Sequence, residues 1–277
     1  MPAQRSAFYD LSVSPFSYDF LNFICMARAQ GCNHTVFVPG DRSYQKCTPE
    51  QQAYRLENLL VPLAKMAGEV TVCKTRDEAR EFYPDFPDKY SVEYPVAAHM
   101  LGQLIGSQKA RWLSPSKAAL AKVPQGKTTI TIRESTIKPG RNSRIKEWQK
   151  AAAILQERGH DILFIPDTDN QGRDFGFPSY PVVDPDERMA LYQCSTLNMG
   201  IGNGPMGLCM YQSYPYLVFR FHDELYQEQS AAFLKANKLP VGSQLPWRKG
   251  NQAIVWEQDY ADVIVKHVER WEMRKAA

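Results

Sequence analysis

Apolar residues in this chain recur in two rhythms, short runs with strand spacing and longer runs with period three to four, and the two alternate along the whole length. Residues 7–13 read as a strand, 17–30 as a helix closed by Gly31, and 35–38 as a second strand ended by Pro39 and Gly40. Residues 50–67 place Leu56, Leu59, Leu60 and Leu63 on one helical face, with a kink expected at Pro62, and 70–73 form a third strand. Helices are expected over 95–105 and over 114–123, the latter with Ser114 as N-cap and Pro115 in its first turn.

After the break at Pro124, Gln125 and Gly126 the rhythm restarts. Thr129 to Ile132 alternate as a strand, Ile145, Trp148, Ala152 and Leu155 recur at helical spacing up to Gly159, and 162–165 run as an apolar strand. Residues 198–205 read as a glycine-rich turn opening a buried helix, which Pro215 separates from a strand over 216–219. Alternating strands and helices imply parallel sheets covered on both faces. The expected fold is α/β, with two Rossmann-like halves, residues 1–123 and 124–277, whose strand ends face each other across a cleft. Ligands of such sheets bind beyond the carboxyl ends of the strands.

Composition narrows the function. An apolar fraction of 44% with 23% charged residues is that of an ordinary globular protein, and 33 basic against 30 acidic residues leave a net charge of only +3. No global field favours nucleic acid, so any anion site must be local. Six cysteines without a CxxC pair indicate neither a zinc site nor a disulfide framework and suit a reducing cytoplasm. Neither a signal peptide nor a membrane span is read from the chain, and a soluble cytoplasmic protein is expected.

Candidate chemistry gathers in three loops of the second half. Arg133, Ser135, Lys138, Arg141 and Arg144 lie between a strand and the first turn of a helix, where cations are disfavoured unless an anion sits among them. A phosphate or diphosphate is one explanation, and a solvated basic loop is the other. Asp167, Asp169 and Asn170 follow the next strand, either to accept from ribose hydroxyls or to close a turn. Gly202, Asn203 and Gly204 either let a ligand approach the backbone or simply make a tight turn. Neither GxGxxG nor GxxxxGK[ST] is present, which disfavours nicotinamide, flavin and P-loop enzymes. His34, His99, His160, His222 and His267 share no spacing and read as structural, although His222, Asp223 and Glu224 could line a cleft. Among the aromatics, Trp148, Trp256 and Trp271 read as packing, and Tyr18, Tyr44 and Trp247 as cleft candidates.

These features together resemble the nucleotide-sugar glycosyltransferases of the two-domain GT-B type, especially bacterial heptosyltransferase-like or fucosyltransferase-like members. The resemblance rests on the strand ITIRES at 130–135, on GNGPMGLCMYQSYPYLVF at 202–219, and on 252–259 leading into a last helix through Trp271, similar to the helix that closes such proteins across both domains. It implies an N-terminal acceptor-side half and a C-terminal donor half. It also implies transfer of a sugar from a nucleotide diphosphate to a glycan or lipid-linked acceptor in surface polysaccharide assembly. Arg133, Ser135, Lys138, Arg141, Gly202, Asn203 and Gly204 would meet the donor diphosphate, and Asp167, Asp169 and Asn170 the nucleoside. Asp19, or Asp10 beside it in the first half, would offer a base, and Asp19 is the preferred one. No metal and no cofactor are called for beyond the nucleotide-sugar substrate; peripheral membrane association is compatible, and the oligomeric state is open. Two alternatives stand beside this. One is a single-domain, metal-dependent GT-A transferase using Asp167 and Asp169 as its DxD pair. The other is a non-catalytic nucleotide- or glycan-binding subunit, suggested by the missing catalytic base.

Overall fold

The computed structural model describes residues 3–40, 47–98, 100–110 and 113–276. Tyr44, His99 and Trp112 lie outside the described residues. The chain divides into two compact units, residues 1–114 and 115–277. The division precedes the break at Pro124 because the helix Lys117–Lys122 belongs with the second unit, where the Ser116 amide donates to Asp186 at 2.7 Å.

The first unit holds β1 (Ser6–Asp10), β2 (His34–Val38), β3 (Glu69–Val72) and β4 (Pro84–Phe86), all parallel in the order β3-β2-β1-β4. The strand β1 ends earlier than its apolar run suggests. Asp10 receives the Val13 and Ser14 amides on its carbonyl, which turns the chain at 11–14 toward the helix Phe20–Ala29. The expected helix over 50–67 is a helical run from Pro49 to Lys65 interrupted by a π turn at Leu56–Leu60. The widened turn lies immediately before Pro62, whose ring cannot be accommodated against the carbonyl four residues back. The run begins at a capping box, Thr48 with Gln51, which the leucine pattern does not reveal. The helix expected over 95–105 is instead Leu101–Ser107, so the buried Ala98 and Met100 pack from irregular backbone. The strand β4 has only three residues and carries no readable rhythm.

The second unit holds β5 (Thr128–Thr131), β6 (Ile162–Ile165), β7 (Leu197–Ile201), β8 (Tyr216–Phe219) and β9 (Gln252–Val255), again all parallel, in the order β6-β5-β7-β8-β9. The cap expected at Ser114 is at Ser116, whose hydroxyl accepts the Ala119 amide. The helix Ile145–Glu157 buries Trp148, Ala152 and Leu155 at the spacing seen in the sequence, and Gly159 follows it at φ 91°. Asn198, Met199 and Gly200, read above as part of a loop, are inside the central strand β7. Asn198 survives there because Thr129 donates to its Oδ1 at 2.6 Å and its amide nitrogen donates to the carbonyls of Tyr192 and Pro215. The helix Pro185–Cys194, whose buried residues follow no single face, was not legible in the pattern. The helix Ala261–Ala276 packs on Ile145–Glu157 and β8, with Trp271 buried in the common core.

No helix among the described residues is long and apolar enough to cross a membrane, and the six cysteines are free thiols.

Candidate functional site

Because all five strands of the second unit run the same way, their carboxyl ends share one edge of the sheet. The residues leaving that edge include Arg133 after β5, Asp167 after β6, Gly202 and Asn203 after β7, Arg220 after β8 and Asp259 beyond β9. The cations and the glycine turn picked out in the sequence do meet. Arg141 donates to the Gly202 carbonyl at 3.1 Å and to Glu228 at 3.2 Å, joining the loop after β5 to the turn after β7.

What the sequence does not reveal is that each of these cations already has a partner inside the protein. Arg133 donates to the Ile137 and Lys138 carbonyls and to Asn142 Oδ1, so it braces its own loop. Burial first, and then the adjacent Arg141 charge, lower its pKa from the ordinary arginine value. Asn142 completes the brace by exchanging hydrogen bonds with the Ser135 backbone, and Ser135 Oγ accepts the Ile137 amide at 3.1 Å. Lys138, at φ 56°, pairs with Glu228 and lies 5.8 Å over the Tyr226 ring. Burial tends to raise the Glu228 pKa, but the Lys138 bond and the Lys138 and Arg141 charges outweigh it and hold the carboxyl below its usual range.

Arg144 shows how the helix tolerates cations at its amino end. The wholly buried Asp259 accepts the Arg144 amide at 2.9 Å and the Trp148 indole N–H at 3.0 Å, and pairs with the Arg144 guanidinium at 3.4 Å. The anion expected at that terminus is therefore supplied by the chain itself. Glu147 reciprocates by accepting the Ala261 amide of the last helix at 3.1 Å.

Arg220 is the functional-edge cation that the sequence reading missed. It donates to the carbonyls of Gly140 and Asn142 and pairs with Asp223 at 3.1 Å, with its side chain only 10% exposed. Its signal, had it been weighed, was an arginine directly after the apolar run 216–219, as Arg133 follows its own strand.

The acidic loop after β6 is built as a turn. Asp167 accepts the amides of Glu134 at 3.0 Å and Asp169 at 3.2 Å, capping the short 3₁₀ turn Thr168–Asn170. Asn170 donates to Glu134 at 2.7 Å, and Asp169 is exposed. Asp167 and Asp169 are thus a cap and its capped neighbour rather than a matched pair of ligands. Among the described residues no group of three or more His, Cys, Asp or Glu is placed to hold a metal ion. Two compact units also depart from the single-domain layout of the GT-A alternative.

The glycines have a packing reason. A Cβ on Gly200 would lie 2.9 Å from the Thr131 carbonyl oxygen, and one on Gly202 would lie 2.8 Å from the Phe221 ring. Asn203 accepts the Met206 amide at 3.1 Å, and the helix it introduces, Gly207–Met210, is a single turn rather than the longer buried helix expected.

In the first unit Asp19 is exposed at the start of the helix Phe20–Ala29, makes no capping bond, and accepts the Ser17 hydroxyl at 2.9 Å. Asp10 is wholly buried and fully engaged by Ser12, Arg76 and Tyr90, which removes it as a base. Of the aromatic cleft candidates, Trp247 is buried against Tyr211 and donates to the Met210 carbonyl, so it is core, while Tyr18 is half-buried. His222 pairs with its neighbour Glu224 at 2.8 Å.

No protein-family model matches the chain, and no curated protein does. Solved structures do. A glycosyl transferase of family 9 from Veillonella parvula superposes with a TM-score of 0.52 at 10% identity, covering 98% of this chain and 97% of that one. The heptosyltransferase WaaC of E. coli with ADP-2-deoxy-2-fluoro heptose gives 0.45 at 11% identity over 96% and 99%. The iron-containing dodecameric glycosyltransferase TibC of enterotoxigenic E. coli gives 0.49 at 16% identity over 90% and 65%. Near-complete mutual coverage by the Veillonella protein, with two parallel sheets and a C-terminal helix, gives this chain the fold of the GT-B glycosyltransferases.

Proposed function

We propose that this protein is a glycosyltransferase that moves a sugar from a nucleotide diphosphate to a glycan or lipid-linked acceptor, in the cytoplasm, during assembly of a surface polysaccharide. The observation that carries the reading is the gathering of Lys138, Arg141 and Arg220 at the carboxyl edge of the second sheet, around the Gly202 turn, in a fold shared with a family 9 glycosyl transferase.

Displacement at the anomeric carbon builds negative charge on the departing diphosphate. Lys138 and Arg141 are the cations suited to receive it, because both already meet a carboxylate, Glu228, at this edge. Arg133, Ser135 and Asn142 shape the loop that carries them, and Asn203 and Gly204 form the turn opposite. Asp167, Asp169 and Asn170 remain the candidates for the nucleoside, with exposed Asp169 the freest to accept from a ribose. The base that takes the acceptor hydroxyl proton is Asp19, an exposed carboxylate on the first unit. In this reading the cations neutralise the leaving group and transfer proceeds without a metal.

A second reading is favoured by one specific observation: the cations at the edge are each already bonded within the protein, Arg133 to neutral oxygens and Lys138, Arg141 and Arg220 to carboxylates. A binding subunit of this fold, without transfer, accounts for that too. The two separate in a nucleotide-sugar panel that follows both binding and turnover, with and without EDTA. Release of one nucleoside diphosphate that survives EDTA and falls in Arg141→Ala supports the metal-independent transferase. Turnover abolished by EDTA overturns metal independence, and tight binding with no release under any acceptor favours the subunit.

A further inference from the structure

The residues 220–230 lie over the loop 133–142 in an unusual way: fastened by packing at both ends and by charge in the middle. At the start, Phe221 packs edge-on against Trp256 with ring centroids 5.7 Å apart and rests on Gly202, which has no room for a side chain there. At the finish, Gln229 is buried and reaches the Gly202 carbonyl at 3.4 Å, and Ser230 caps the helix Ala231–Ala236. Between them Leu225 is 83% exposed, and Glu224 and Gln227 are exposed as well. The middle is held down by the Tyr226 ring over Lys138 and by the Glu228 carboxylate on Lys138 and Arg141.

Four cations, Arg133, Lys138, Arg141 and Arg220, meet there, and the strap brings two carboxylates to them, Asp223 and Glu228. The two are not equivalent. Asp223 is 11% exposed, pairs with Arg220 and accepts the Leu225 amide at 3.0 Å, so it is part of the turn. Glu228 is 37% exposed and its carboxylate meets the two cations. Arg220, where the strap begins, sits at φ 48°, a left-handed backbone that a non-glycine residue adopts at some cost.

We propose that Glu228 is the internal occupant of an anion site made by Lys138 and Arg141, and that residues 221–229 form a strap which an incoming diphosphate lifts by taking the carboxylate's place. The inference rests on the donor reading of this edge and adds how the site is guarded. A diphosphate carries more charge and more acceptor oxygens than one carboxylate, so it satisfies the same two cations more fully. The exchange costs little elsewhere, because the middle of the strap buries little apolar surface. While empty, the site holds Glu228 between Lys138 and Arg141, and this carboxylate competes with weak anions such as single carboxylates.

Titration calorimetry of the full chain with inorganic pyrophosphate, ADP and UDP, on wild type, Glu228→Gln and Glu228→Ala, tests this, with thermal melts to verify folding. Both variants should bind pyrophosphate about fivefold more tightly than wild type, the upper end of what one exposed ion pair supplies when it no longer competes. In wild type, hydrogen exchange of the 222–228 amides should rise on binding. Equal or weaker pyrophosphate affinity in both folded variants, or strap amides that become more protected in wild type, overturns the proposal. If both variants tighten for pyrophosphate while neither ADP nor UDP binds better than pyrophosphate, the guarded anion site stands and the donor reading falls. If a nucleoside diphosphate binds wild type and both variants alike, the donor reading stands and the strap falls.

Discussion

Two carboxylates in this molecule face arginine at the carboxyl edge of a parallel sheet, and they could hardly be held more differently. Asp10, at the end of β1, is wholly buried and accepts from the Ser12 amide and hydroxyl, both Arg76 terminal nitrogens and the Tyr90 hydroxyl. Glu228, over the loop after β5, is partly exposed and meets Lys138 and Arg141. The first is a fixed knot that closes the turn after β1 onto the loop reached by Arg76, and burial followed by the Asp10 charge drives the Tyr90 pKa well up. The second is an exchangeable pair. Burial and the number of donors, not the presence of an ion pair, separate a structural carboxylate from a displaceable one.

Asp10→Asn should test that contrast most sharply, costing about 3 kcal/mol of stability because it leaves Arg76 beside a neutral, buried partner. Urea unfolding followed by circular dichroism reads this directly, and a loss no larger than that of Glu228→Gln would erase the distinction. Asp259 should behave like Asp10 despite its place in the other unit. Asp259→Ala is expected to cost about 2 kcal/mol through the uncapped helix and the unpartnered indole, and to shift Trp148 fluorescence.

Arg141→Ala separates the two classes from the cation side. It should weaken nucleoside diphosphate binding about tenfold in calorimetry, yet change stability by less than about 1 kcal/mol because its carboxylate partner can hydrate. Arg133→Ala should do the reverse, loosening its own loop by about 1 kcal/mol with a smaller effect on affinity. If Arg133→Ala proved the stronger binding lesion, the brace assigned to it here would be wrong.

The smallest effect concerns pH in the first unit. His34 lies between Ser6 Oγ and Thr71 Oγ1, each at 2.9 Å, and burial lowers its pKa below the ordinary 6.5 while Glu69 opposes the shift. A depressed histidine favours the neutral form in the folded state. Its contribution is complete above 6.5 and is lost as pH falls through that value toward the folded one. Melting temperature should therefore drop more for wild type than for His34→Gln between about pH 7 and about pH 5.

Much of the architecture was legible because it is local. Strand β8 is the run expected over 216–219, and Trp148, Ala152 and Leu155 are buried at the spacing that announced their helix. Errors fell where local signals were weak or doubled. Asn198 and Gly200 look like loop residues, but they sit in a central strand whose neighbours supply the hydrogen bonds and the space. Trp247 looked like a cleft aromatic beside Arg248, and only packing shows it to be core. At the site, the sequence left open a bound anion or a solvated basic loop, and it did not reveal the internal carboxylates that meet Lys138, Arg141, Arg144 and Arg220.

The order of hydrophobic and polar residues by itself determined two α/β halves with parallel sheets, since each strand and helix is selected by apolar spacing over a few positions. Only the tertiary structure decided which charge meets which. Glu228 reaches Lys138 across 90 residues and Arg141 across 87, and Asp259 reaches Arg144 across 115. Parallel pairing brings those distant segments to one edge, and no local pattern carries information about such encounters.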